Sequence, residues 1–227
     1  MALISFTKSV PAVLKCYSNS PGPLKGYVRN LMSKELVYSE FGEPCQVVKF
    51  REVEVPSLGP QQVLVRMLAA PVNPADINTI QGRNYCLPSL PTCPGDEGVG
   101  EIVEIGDKVC RVKNGARVVL SSRLLGTWRY YGIYHERDVH TISPVLPLPE
   151  AAMLTIAPCT AFRMLNDFRK LKPGDTVIQN AANSPCGQCV IQFCKAWGIN
   201  TYNIVSSHCG YEAVKKHLLS LGANEVY

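Results

Sequence analysis

At 227 residues, 46% of them hydrophobic and 18% charged, the chain is long enough for two modest cores. Its net charge of +5 is concentrated at one end: residues 1–34 hold Lys8, Lys15, Lys25, Arg29 and Lys34 with no acid, and the remainder balances. A nucleic-acid footprint would place the excess on the folded body, so no nucleic-acid partner is expected. No run approaches the roughly 18 apolar residues of a membrane span, so no membrane span is expected either.

The basic segment 1–34 also carries Ser5, Ser9, Ser18, Ser20 and Ser33, the composition of a mitochondrial transit peptide and of a matrix destination. From residue 35 to 150 follows a turn-rich β region. Strand character recurs at Glu35–Tyr38, Cys45–Phe50, Gln62–Met67, Gly100–Ile105 and Ala116–Leu120, punctuated by Gly, Pro and Asp, which predicts a small antiparallel barrel. Residues 151–170 then read as connecting helices, around Pro149–Thr155 and Thr160–Phe168. From 171 to 227 the pattern becomes strand, turn, helix, strand, helix and the start of a third strand.

Thr176-Val-Ile-Gln-Asn-Ala-Ala-Asn-Ser-Pro-Cys-Gly187 followed by a helical run predicts a phosphate-binding turn, with Asn183, Ser184, Pro185, Cys186 and Gly187 as its residues. Such a turn aims backbone N–H groups and the positive end of a helix at a pyrophosphate. Only Gly187 supplies a glycine there, and Pro185 has no N–H to offer. In the doubly wound order the first strand pairs with a fourth, which this sequence lacks, so a partial Rossmann domain, incomplete or dependent on a partner, is expected. The ten cysteines are scattered, which makes reduced thiols the default. Cys186 and Cys189 are one pair where a structural zinc site needs two, so no metal is expected.

Six segments, Leu68–Asn78, Gln81–Gly82, Gly95–Gly98, Leu125–Arg129, Pro158–Leu165 and Leu171–Asn180, resemble in order the zinc-independent medium-chain dehydrogenase/reductases. Gly126-Thr-Trp-Arg129 together with Pro158-Cys-Thr-Ala-Phe-Arg163 narrows the resemblance to the mitochondrial trans-2-enoyl thioester reductases. Asp96 stands where zinc-dependent relatives carry a histidine ligand.

The resemblance implies a GroES-like barrel ahead of a partial Rossmann domain. It also implies NADPH as cofactor, hydride delivery to the β-carbon of an enoyl thioester carried on acyl carrier protein or coenzyme A, and a tyrosine hydroxyl donating to the thioester oxygen. A gapless match places Asn84 on that tyrosine's position and Tyr85 one step later, making Tyr85 the catalytic candidate. Ala157 replaces a family asparagine before Pro-Cys-Thr-Ala. Ser206, Ser207 and His208 occupy the stretch where the family binds the 2′-phosphate with arginine. Together with the missing half-domain, these departures set beside the reductase a catalytically inactive, truncated paralogue that associates with an intact reductase, and the shared lack of zinc adds a quinone reductase as the nearest different chemistry.

Overall fold

The computed structural model describes residues 3–4, 31–207 and 210–227. The expected leader therefore lies mostly outside the described residues, as does His208. The chain divides into two compact units, Met1–Thr155 and Ile156–Tyr227.

In the first unit the elements run β1 (Leu3–Ile4), β2 (Met32–Val37), α1 (Pro44–Val47), β3 (Lys49–Glu54), β4 (Gln62–Pro71), α2 (Pro74–Ile80), β5 (Val99–Ile105), β6 (Arg117–Leu120), β7 (Tyr131–His135), β8 (Val139–Thr141) and α3 (Leu148–Ala152). β4 organises the sheet. It pairs antiparallel with β5 along one edge and with β7 along the other, β5 pairs with β6, and β6 with β8. The register shifts twice, at Leu64/Val65, where the extra residue is Val103 of β5, and at Met67/Ala69, where it is Leu68 of β4. Val63, Val65 and Met67 from β4 meet Ile102, Val118, Leu120, Tyr134 and Val139 in the main core.

Two local features differ from expectation. The run from Cys45 to Phe50 is not one strand: Pro44, with φ already fixed for the first helical position, opens the turn α1, and the strand starts only at Lys49. The helix α2 was not anticipated within the loop after β4. It is set by Asn73 and Asp76, which form a capping box around Pro74 at the first turn, with Asp76 Oδ2 accepting from the Asn73 N–H at 2.8 Å.

In the second unit come α4 (Ala157–Asn166), β9 (Thr176–Gln179), α5 (Pro185–Trp197), β10 (Asn200–Asn203), α6 (Tyr211–Leu221) and β11 (Glu225–Val226). The three strands are parallel in the order β11-β10-β9, with Thr176 opposite Asn200 and Gln179 opposite Asn203. Two clusters bury the helices. Ala182, Ile191, Val205, Leu218 and Val226 form one, and Ala161, Leu165, Val190, Cys194 and Ile199 form the other, which joins α4 to α5. β10 carries its polarity reversed. Thr201 and Asn203 are buried at 1% and 0% exposure, while Tyr202 and Ile204 lie 42% and 47% exposed. Asn203 is satisfied in place, its amide donating to Thr201 Oγ1 and to the Glu225 carbonyl and its oxygen accepting from Gln179.

Candidate functional site

The first unit places Tyr85 on the loop after α2, 89% exposed. Its neighbour Asn84 turns inward, donating from Nδ2 to Thr79 Oγ1 at 2.9 Å, and the Tyr85 N–H closes on Asn84 Oδ1. The Tyr85 hydroxyl accepts from Arg123 Nη1 at 2.6 Å, and Arg123 Cζ lies 5.2 Å from the Tyr85 ring centroid. Arg123 Nε in turn donates to Asp96 Oδ2 at 3.2 Å.

Behind this exposed pair lies a buried acidic group. Asp76 Oδ1 accepts from the Asp96 N–H, and Asp96 Oδ1 accepts from the Leu124 N–H. Glu97 accepts from Asn73 Nδ2 at 2.9 Å and from the Thr155 hydroxyl at 3.2 Å. Burial pushes the Asp76 carboxyl up to about 6 against the stabilising Asn73 N–H, and the Asp96 and Glu97 carboxylates add to the rise. Tyr38, 1% exposed, is pushed up to about 12, first by burial and then by Asp96, Cys93 and Asp76. A cavity of about 10 Å³ is lined by Tyr38, Thr92, Asp76 and Asp96, about the room one water needs among polar partners. Gly95 is required beside it, because at φ +101° a Cβ would lie 2.6 Å from Trp128 Cδ1. Among the described residues no three His, Cys, Asp or Glu side chains converge as a metal ligand set.

The second unit builds the turn between β9 and α5. Ser184 is the N-cap, its Oγ accepting from the Gly187 N–H at 3.1 Å, and Pro185 takes the first helical position. Gln179 Nε2 ties the end of β9 to the Gly187 carbonyl at 3.0 Å and to Asn203 Oδ1 at 2.8 Å. Gly187 serves packing, since a Cβ there would meet the Ala182 backbone at 2.7 Å. Its N–H is held by Ser184, so among the described residues the Asn183 and Cys186 N–H groups are those of the turn left open toward a ligand.

An open hollow of about 770 Å³ reaches this turn, lined by Asn180, Ser184, Cys186 and Gly187 on one side and by Met164, Phe168, Ile178 and Ile204 on the other. Its size is that of a cofactor-binding pocket. The half-buried Cys186 and Cys189 thiols are pushed up by burial, Cys189 further by Cys186, which disfavours their thiolates. Ser206 and Ser207 follow β10 and are exposed.

The fold thus gathers Asn183, Ser184, Pro185, Cys186 and Gly187 at one helix end, next to the strand that leads to Ser206 and Ser207. Gln179, Asn203 and Arg123 were not among the sequence candidates. Nothing in their spacing marks them, because each acts through a partner distant in the chain.

Residues 59–150 match the model of the alcohol dehydrogenase GroES-like domain. The chain is 44% identical over 193 residues to the mitochondrial enoyl-[acyl-carrier-protein] reductase of Bos taurus, covering 85% of this chain and 52% of that protein. Two solved structures are also similar. The Etr1p/NADP/crotonyl-CoA complex gives a TM-score of 0.81 at 28% identity, and the mitochondrial 2-enoyl thioester reductase Etr1p/Etr2p heterodimer from Candida tropicalis gives 0.80 at 27%. Each covers 86% of this chain and 60% of the solved chain. The chain thus spans about half the length of the curated relatives it matches. A GroES-like β unit followed by part of a Rossmann domain is the domain order of the zinc-independent medium-chain dehydrogenase/reductases, the family to which this chain is similar over the span it shares with them.

Proposed function

We propose that this protein takes part in NADPH-dependent reduction of trans-2-enoyl thioesters in the mitochondrial matrix, the second unit holding the cofactor and the first unit polarising the thioester carbonyl. The observation that carries this reading is the β9-turn-α5 arrangement opening onto the 770 Å³ hollow. Its Asn183 and Cys186 N–H groups and the positive end of the 13-residue α5 suit a pyrophosphate. The bound dinucleotide supplies hydride chemistry at the substrate β-carbon. Tyr85 donates to the thioester oxygen, where negative charge develops. Ser206 and Ser207, exposed beyond β10, offer hydroxyls to the ribose end, without the fork of an arginine.

The thioester is carried on coenzyme A or on acyl carrier protein. A leader fits best if it ends before Met32, because β2 begins there and the Ser33 hydroxyl, 1% exposed, donates to the Tyr131 carbonyl at 3.1 Å. The second unit also exposes Tyr202 and Tyr227, their ring centroids 6.3 Å apart and outside the lining of the hollow, which supports hetero-association with a related reductase chain.

The test is fluorescence titration of the full chain with NADPH, followed by addition of a trans-2-enoyl thioester and, separately, a quinone. Saturable binding with thioester-dependent oxidation is expected. A folded chain that binds NADPH and oxidises it only with quinone overturns the substrate assignment, and no binding at all overturns the enzymatic reading in favour of the associating one.

A further inference from the structure

The role inferred for Arg123 rests on the reductase reading and concerns what makes Tyr85 usable. A side chain 89% exposed on a loop has little packing to fix its rotamer, and the loss of side-chain entropy opposes its ordering. Tyr85 is nevertheless held at two points by one residue, its oxygen 2.6 Å from Arg123 Nη1 and its ring 5.2 Å from Arg123 Cζ.

Arg123 is itself anchored. Asp96, 7% exposed, receives Arg123 Nε through one carboxylate oxygen and the Leu124 N–H, at 2.9 Å, through the other. Leu124 adopts φ +63°, a left-handed conformation that a branched residue keeps only where its surroundings over-determine it. The Asp96 bond to the Leu124 N–H is such a constraint, and it sets the direction in which the Arg123 side chain leaves the backbone.

A guanidinium has donors and no acceptor. The Tyr85 oxygen therefore accepts from Arg123, and its own hydrogen is left for a third group. The adjacent cation also draws electron density from the phenol oxygen, which strengthens the remaining O–H as a donor.

We infer that Arg123, fixed by Asp96, is a positioning residue that holds Tyr85 with its hydroxyl hydrogen presented to the carbonyl oxygen of an acyl thioester. It also answers the one-residue displacement in the sequence. Asn84, at the family's tyrosine position, is committed to Thr79, and the next residue, turned outward, is captured by an arginine from another loop.

The experiment places 3-fluorotyrosine at position 85 of the full chain and reads its fluorine resonance first without ligand. The native resonance is expected away from that of the free amino acid. Arg123→Gln should return it there, and Arg123→Lys, which keeps a donor, should hold most of the displacement. An identical resonance in the native chain and in Arg123→Gln overturns the inference whatever the catalytic result.

The second arm adds butyryl-coenzyme A labelled with ¹³C at the thioester carbonyl, with NADP⁺ present, and reads the carbonyl stretch. The native chain should lower its frequency. Tyr85→Phe and Arg123→Gln should abolish that shift and weaken binding about tenfold, the loss of one hydrogen bond, while Arg123→Lys restores it. Binding with an unshifted carbonyl in the native chain overturns the inference and leaves the reductase reading standing. A fluorine shift that depends on Arg123 without any butyryl-coenzyme A binding overturns the reductase reading, and the substrate half of the inference with it.

Discussion

β4 and β10 each lie between two paired neighbours, yet their side chains are sorted by different rules. β4 buries Val63, Val65 and Met67 against apolar partners, and Leu64 on its other face as well, so apolar packing covers it on both sides. β10 buries Thr201 and Asn203 and leaves Tyr202, with Ile204 just beyond its end, exposed, so hydrogen bonds orient it instead. The contrast is between strands rather than units: β4 is held by filling volume and β10 by satisfying a few polar atoms whose partners come from three strands, while the first unit keeps its own buried polar groups, Asp76, Asp96 and Glu97 among them.

The largest effect that separates the two should come from emptying the first core. Ile102→Ala, at a site 1% exposed, should cost about 2–5 kcal/mol in urea unfolding, with Leu218→Ala on α6 near the lower end of that range. Equal losses would erase the distinction.

Next comes pH. Asp76 is raised from 3.8 to about 6 by burial, so the folded first unit retains a proton that the unfolded chain has lost. Its contribution is fully present below about pH 4 and is lost as pH rises through about 6, on the order of 2–3 kcal/mol. Thermal unfolding of the first unit should therefore weaken between pH 4.5 and 7, and Asp76→Asn should flatten that slope while the transition of the second unit stays in place.

Gly187→Ala brings a Cβ within 2.7 Å of the Ala182 backbone and should cost the second unit about 1–3 kcal/mol. Hydrogen exchange should localise the damage to α5 and β9 and spare the first unit. The smallest effect is expected at Tyr227→Lys, 61% exposed, which should change stability by less than about 0.5 kcal/mol while lowering any self- or hetero-association read by sedimentation.

The alternation of β and α segments in the last 57 residues was legible because apolar spacing switches period at each turn, and the structure follows that order with boundaries moved by a few residues. The facing of β10 was not legible, since the strand violates the pattern by which facing is read. α2 was hidden because Pro74 looks like a loop residue until Asn73 and Asp76 are seen to cap a helix around it. At the site, the turn residues around Ser184 could be named from sequence because they act through local backbone. Arg123 could not, because its meaning comes from Asp96, 27 positions earlier, and Tyr85, 38 positions earlier.

The left-handed Leu124 bears on the thermodynamics of ligand capture. A glycine at φ +63° would be free of strain, yet it would let the loop sample many conformations. Leucine confines the loop during folding, so less conformational freedom remains to be lost when a ligand arrives. Calorimetry on Leu124→Gly should then show a more unfavourable binding entropy, offset by enthalpy, with the affinity itself falling only modestly.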